Sequence, residues 1–221
     1  MLRVLTMNTA PLEDDELFAR VYASLSPFRQ KKTDRYRFRK DKNLSLGAGI
    51  LLDHALRELS LRERDMQYRL GENEKPYFVN APELHFNLSH SNTQVLAAVS
   101  DAPVGCDIER VKPIDLKLAR RFFHEDEYAA IACAPTEEQT RLFFRFWTLK
   151  ESYMKCSGAG FRMPLDSFCI RLGETPAVEA AGGETVRFRE YDMLPGYCAA
   201  VCTESPDTLP EPEQVDGELG Y

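Results

Sequence analysis

The stretch Gly105-Cys106-Asp107-Ile108-Glu109 sets two carboxylates among apolar neighbours, with Val104 before it and Val111 just after. In an extended chain, residues two apart share a face, so Asp107 and Glu109 project together while Cys106 and Ile108 turn the other way. Two carboxylates a few ångströms apart repel, and such a pair either shares a proton or holds a cation. Oxygen ligands with no thiolate or imidazole cluster beside them suit Mg²⁺. The competing reading is a solvated strand end whose acids face water.

Other groups could serve a phosphorylated ligand. Phe28 to Lys42 carries Arg29, Lys31, Lys32, Arg35, Arg37, Arg39, Lys40 and Lys42, a basic block inside an acidic chain. It reads either as a solvated helix face or as an anion site, since phosphate needs several donors and a positive field. Ser89, His90 and Ser91 put hydroxyl, imidazole and hydroxyl at a strand exit, where functional groups can be displayed without disturbing a core. In the turn-rich loop from Arg69 to Tyr77, Pro76 restricts Lys75 to extended geometry and so fixes where its amine points. Glu151 and Lys155 share a helix face one turn apart; alone, such a pair is a surface contact worth about 0.3–0.5 kcal/mol.

The elements that must carry these groups follow from periodicity and punctuation. Leu2 to Met7 reads as an edge strand, and the acids from Glu13 to Glu16 open a helix that Pro27 ends. Leu44 to Leu59 has the spacing of a core helix, with His54 on its flank. Phe86 to Ser91 and Gln94 to Ser100 form a hairpin, and Ala102-Pro103 turns the chain into the acidic strand. Asp115 caps a helix through Phe123, a second begins at His124, and Glu137 to Cys156 is the longest, ended by Gly158-Ala159-Gly160. Strands are expected over 167–172, 185–191 and 197–203. The tail, 206–221, is expected to be disordered or loosely laid on the surface.

With 221 residues and 43% hydrophobic content the chain can bury a substantial core. The 35 acidic and 28 basic residues give a net charge of −7, which argues against a general nucleic-acid binder. No run approaches the length of a membrane span, and the first residues lack the basic-then-apolar pattern of a secretory leader, so a cytoplasmic protein is expected. Six cysteines, without a Cys-x-x-Cys, read as small buried hydrophobes in a reducing compartment.

Phe86-Asn87-Leu88-Ser89-His90-Ser91, Gly105-Cys106-Asp107-Ile108-Glu109, Arg121-Phe122-Phe123 and Trp147-Thr148-Leu149-Lys150-Glu151-Ser152-Tyr153-Met154-Lys155, in this order and spacing, closely resemble the 4′-phosphopantetheinyl transferases of the Sfp type. The resemblance covers most of the chain. It implies an enzyme that moves the phosphopantetheine arm of coenzyme A onto a serine of an acyl or peptidyl carrier protein, leaving adenosine 3′,5′-bisphosphate. It also implies an α+β fold of two similar halves related by a pseudo-twofold, residues 1–103 and 104–205, with the active site at their interface.

Carried over by position, the resemblance makes Asp107, Glu109 and Glu151 the Mg²⁺ set, with Mn²⁺ as the alternative ion. It makes Lys155 the group that neutralises the bridging phosphate. Lys75, Pro76, Ser89 and His90 become contacts to the nucleotide end of coenzyme A, and Arg29, Lys31 and Lys32 assist with its 3′-phosphate. Glu151 is the expected base for the serine hydroxyl, directly or through a water on the ion, with Glu127 as the weaker candidate. Two departures stand out: Glu74 occupies a place where the family often has glycine, and Arg35 to Lys42 does not align one for one with the family's early basic motif. Phe122, Phe123 and Tyr128, between Arg120 and Ile131, are candidates for an apolar carrier-docking patch or for core aromatics. A monomer that binds neither nucleic acid nor membrane is expected. The rival readings are a non-catalytic carrier-protein or coenzyme A binding module, and a metal-dependent phosphohydrolase built on the same acids.

Overall fold

Gln94–Ser100 is apolar from Val95 to Val99 and buried throughout, the pattern of a strand covered on both faces. The rest of the molecule is layered around it. The computed structural model describes all residues except 72, 180–184, 193 and 217–221, and at 161 the backbone alone. Glu72 of the turn-rich loop and the end of the tail therefore lie outside the described residues.

In chain order the elements are β1 (Leu2–Asn8), α1 (Asp15–Ser24), α2 (Pro27–Asp34), α3 (Arg39–Arg57), β2 (Tyr68–Leu70), β3 (Pro76–Phe78), β4 (His85–Ser91), β5 (Gln94–Ser100) and β6 (Val104–Arg110). Then come α4 (Lys117–Phe122), α5 (Glu125–Cys133), α6 (Thr136–Ser157), β7 (Cys169–Arg171), β8 (Ala177–Glu179), β9 (Arg187–Tyr191), β10 (Tyr197–Thr203) and β11 (Glu213–Gln214). The fold is mixed α/β, with a four-stranded sheet ordered β11-β1-β5-β4, a three-stranded sheet ordered β6-β10-β9, and the two-stranded ribbons β2-β3 and β7-β8.

Alternation along the strands decides the layers. Leu5, Met7, Val95, Ala97 and Val99 pack with Leu44, Leu51, Leu52 and Leu56 of α3. The opposite side chains of the same strands, Val4, Leu96 and Ala98, meet Cys106, Ile108, Ala199 and Val201 of the second sheet. The far face of that sheet, through Cys198, Ala200 and Cys202, packs with Phe146, Leu149 and Tyr153 of α6. The order from outside to outside is thus α3, sheet, sheet, α6.

Three boundaries differ from the sequence reading. The basic block is split between α2 and α3, and α3 begins at Arg39, whose guanidinium is held by the Leu12 carbonyl, Asn43 and Asp15. Residues 206–216 are docked, where a loose tail was expected over 206–221. Leu209 and Val215 are buried, Arg187 and Arg189 donate to the Pro206 and Leu209 carbonyls, and Glu213 meets Arg3 and His54. β11 then pairs parallel with β1, which lies between β11 and β5 and is no edge strand. Few apolar residues suffice because both that point inward reach existing cores.

Burying two such side chains is worth about 1.5–3 kcal/mol each before the cost of ordering the segment. Deleting 206–221 is therefore expected to lower the unfolding free energy by about 3 kcal/mol, measured by urea titration. An unchanged midpoint would show that the strap adds nothing.

Candidate active site

Gly105 decides how the site is assembled. A Cβ placed there would lie 2.1 Å from the Ser152 carbonyl oxygen and 2.4 Å from the Cys156 amide nitrogen, both backbone atoms of α6. Only glycine lets β6 lie directly against that helix. The strand then delivers Asp107 and Glu109 beside Glu151 and Lys155 of the helix. α6 ends at Gly158, which adopts φ 70°, the left-handed C-cap expected of glycine.

The free edge of β6 is satisfied by side chains. Asn87, Ser89 and Ser91, at alternate positions of β4, accept the amide protons of Cys106, Ile108 and Arg110 at 2.9, 3.3 and 3.0 Å. Each partner lies nineteen residues further on, so the two strands run parallel in fixed register. The same hydroxyls turn to the acids: Ser89 donates to Asp107 Oδ1 at 2.7 Å and Ser91 to Glu109 Oε2 at 2.8 Å. The Asn-x-Ser-x-Ser pattern is a side-chain ladder that holds the acidic strand. Ser91, read from sequence as an anion-site hydroxyl, is instead bonded to Glu109 and the Arg110 amide, and the part Asn87 plays in holding β6 was not read; their period of two was the available signal.

Asp107 is 4% exposed. Its Oδ1 also accepts Lys155 Nζ at 2.6 Å, while Oδ2 is buried with no hydrogen-bond partner among the described residues. An orphaned carboxylate oxygen in a buried site is costly and marks a place for a cation. Burial raises the Glu109 carboxyl pKa; Ser91 opposes this and Asp107 adds to it. Burial likewise raises that of Glu151, with Lys155 opposing and Asp107 and Glu109 adding. Burial works against the Lys155 ammonium, but Asp107 overcomes it and leaves the pKa above its ordinary value. Three mutually repelling acids, with the Lys155 ammonium bonded to Asp107 alone of the three and Lys112 acting on Glu109, fit a divalent ion.

A second group of potential ligands, His124, Asp126 and Cys169, has ligand atoms within 4.8 Å of one another. Its members are already engaged. His124 Nδ1 accepts the Asp126 amide as the cap of α5, and Asp126 is paired with Arg171 at 2.9 Å. The positive end of a helix also disfavours a cation.

The remaining expected residues divide. Lys31, Lys32 and Pro76 line a cavity of about 260 Å³ with Phe28, Arg35 and Leu70. Burial, reinforced by Arg29, pushes the Lys32 ammonium down to about 8. His90 is exposed at the end of β4 and is not part of the cavity lining; desolvation and the Lys32 charge lower its pKa. Pro76 also borders a second cavity, of about 210 Å³, that reaches Glu151, Met154 and Lys155. Arg29 is a correction: at 2% exposure it lies inside, against Glu63, and does not line the cavity. Ser89 is likewise interior, occupied by Asp107 and Ile108. Lys75 donates to the carbonyls of Val104 and Lys155.

Glu127 is removed as a base. It is fully buried, accepting Lys150 Nζ at 2.6 Å, the Ile170 amide at 2.7 Å and the His124 amide at 3.0 Å. Lys150 completes the pair by donating to the Phe168 carbonyl. Phe123, also offered for docking, is buried against Phe143 and Phe146; Phe122 and Tyr128 are half-buried. Glu127→Gln leaves the Lys150 charge uncompensated and is expected to cost about 3–5 kcal/mol in thermal or chemical unfolding. A variant of full stability that only loses turnover would return Glu127 to the list of bases.

A family model described as the 4′-phosphopantetheinyl transferase superfamily matches residues 103–202. The 4′-phosphopantetheinyl transferase Sfp of Bacillus subtilis (strain 168) is 34% identical over 201 residues, covering 89% of each chain. The chain belongs to the Sfp-type 4′-phosphopantetheinyl transferases. A second relative of this transferase, psf-1 of Bacillus pumilus, is 35% identical over 219 residues and covers 93% of this chain and 91% of its own. A crystal structure of a holo-(acyl-carrier-protein) synthase from Bacillus anthracis in complex with CoA (3′,5′-ADP) aligns with 46% of this chain at 16% identity and a TM-score of 0.41. In the transferase described here, the segment matched by the family model runs from the turn before β6 almost to the end of β10. It holds all three candidate metal ligands and Lys155.

Proposed function

We propose that this transferase moves the 4′-phosphopantetheine arm of coenzyme A onto a serine of an acyl or peptidyl carrier protein and releases adenosine 3′,5′-bisphosphate. The observation that carries the reading is Asp107, buried, with one oxygen on Lys155 and Ser89 and the other without a partner among the described residues, beside Glu109 and Glu151. Lys31, Lys32, Arg35 and His90 receive the nucleotide end, and the adjoining cavity takes the pyrophosphate and the thiol arm. Asp107, Glu109 and Glu151 would hold Mg²⁺, or Mn²⁺ in its place. When bound there, the ion supplies positive charge against the pyrophosphate oxygens. Glu151, its carboxyl pKa raised by burial, accepts the proton of the serine hydroxyl. The serine oxygen bonds to the phosphorus bearing the pantetheine arm, and the bond from that phosphorus to the bridging oxygen breaks. Lys155 balances the charge that builds on the leaving phosphate.

We place the site at the junction of two similar halves, 1–103 and 104–205, related by a pseudo-twofold. Supporting this, each half sets one long helix, α3 or α6, on the outer face of its own sheet. The carrier is proposed to meet α4, where Leu118, 40% exposed, is flanked in sequence by exposed Lys117, Arg120 and Arg121, a basic run in an acidic chain. No helix among the described residues is long and apolar enough to cross a membrane, and a cytoplasmic monomer without nucleic-acid binding completes the proposal.

Nucleotide release tests the reading. Adenosine 3′,5′-bisphosphate should appear only with an apo carrier present and in amounts equal to the carrier modified. Release without carrier would favour the hydrolase reading, and tight coenzyme A binding without release a binding module.

The metal assignment has its own thermal readout. Glu109 and Glu151 have raised pKa values, so in the metal-free protein their contribution is stabilising while they are protonated and is lost as pH rises through those values. Mg²⁺ should therefore stabilise most at neutral pH and progressively less on acidification. At a hundredfold excess over its dissociation constant the gain is about 2.7 kcal/mol, on the order of 5 °C in a chain of this size. A shift that is absent at neutral pH, or that grows on acidification, contradicts the assignment.

A further inference from the structure

The loop between β2 and β3 reaches out of the first half and grips the second. It is closed by the Gly71 amide on the Lys75 carbonyl at 2.9 Å and turns at Glu74, which adopts φ 59°. Asn73 Nδ2 donates to the Gly158 carbonyl at 2.6 Å, just beyond the end of α6. Lys75 Nζ donates to the Lys155 carbonyl, in the last turn of that helix, and to the Val104 carbonyl at 3.1 Å, at the start of β6.

The carbonyls of a helix's last turn have no partner within the helix, and its C-terminal end carries partial negative charge. A lysine ammonium meets both needs at once. Here it also joins the element that holds Glu151 and Lys155 to the element that holds Asp107 and Glu109. Gly105, next to Val104, is where those two backbones touch, so the loop closes the contact from the open side.

We infer that Lys75 is a positioning residue for the transfer reaction: its ammonium bolts the C-terminal turn of α6 to the start of β6 and so sets Lys155 against Asp107, with Asn73 as the second bolt. The inference rests on the proposed activity for its kinetic readout only. Lys75 also borders the cavity that reaches Glu151 and Lys155, but its ammonium is spent on two carbonyls of the protein, so the inference has it act through α6 and β6 and not on coenzyme A.

The test is Lys75→Met, which keeps the apolar stem and removes the donors. Displacement of catalytic groups by about 1 Å can cost on the order of 10²-fold, so kcat should fall between about 10- and 100-fold while KM for coenzyme A stays within about twofold. A lost anion contact would do the reverse, raising KM with kcat retained, and that outcome overturns the proposal, as do unchanged constants. Hydrogen–deuterium exchange over 152–158 supplies a readout without turnover and should quicken in the variant. If the wild type transfers nothing, the functional reading fails and exchange alone decides the bolt; unchanged exchange rejects it. Should Lys75→Met fail to fold, Asn73→Ala removes the neighbouring bond at lower cost, and the same kcat loss at constant KM, smaller in size, is expected. A wild-type kcat in Asn73→Ala with unchanged exchange overturns the proposal.

Discussion

Asp107→Asn is expected to lower kcat by about 10²–10³-fold or more while leaving a folded protein. The amide keeps the shape of the carboxylate, and one oxygen can still accept from Ser89 and Lys155, so little packing is lost. What disappears is the charge that an ion and the Lys155 ammonium both need. Charge placed in advance where the transition state requires it is worth factors of this size in water-excluded sites. Weakening a charge-assisted hydrogen bond costs about 1.5–3 kcal/mol, a tolerable loss of stability. Asp107→Ala is the poorer test, because it also strips Ser89 of its acceptor and leaves Lys155 the Cys106 carbonyl in place of a carboxylate, which confounds activity with folding. Steady-state rates at saturating coenzyme A decide it, and turnover within about tenfold of wild type contradicts the central role of this acid.

The second large effect is steric. Gly105→Ala puts a methyl group 2.1 Å from the Ser152 oxygen and 2.9 Å from the Lys155 carbonyl carbon. These are backbone atoms of the last two turns of α6 and cannot rotate away as a side chain would, so β6 and α6 must separate. Overpacking of this kind costs about 3 kcal/mol or more, and the same movement pulls Asp107 and Glu109 away from Glu151 and Lys155. Stability and activity should fall together, with turnover reduced by about 10²-fold. Gly173→Ala serves as the control, since its Cβ would meet only the Thr175 oxygen at 3.7 Å. Equal stability of the two variants would refute the close-approach argument.

What could be read in advance divides along physical lines. The acidic strand was legible because i and i+2 share a face whatever the tertiary structure, and α6 because its apolar period runs unbroken to a glycine cap. The Asn87, Ser89 and Ser91 ladder was visible only as a motif, since its meaning lies in amide groups nineteen residues away. Lys150 and Glu151 are adjacent in sequence yet end up on different sides of one helix, one in a fully buried pair with Glu127 and the other at the cleft. Arg29 and Lys31 diverge in the same way on α2, the first turned inward and the second lining the basic cavity. Basic residues two apart on a helix point in different directions, and composition cannot say which faces water. The docked segment after Pro206 escaped notice because its hold depends on two buried side chains and on donors from distant arginines.

Intact-protein mass spectrometry of an apo carrier protein, after incubation with this transferase, coenzyme A and Mg²⁺, tests the central claim most directly. The account predicts that the carrier gains the mass of one phosphopantetheine, that a chelator prevents the gain, and that Asp107→Asn reduces it to a trace. A carrier that stays unmodified while coenzyme A is cleaved, or one modified equally well with the chelator present, would contradict it.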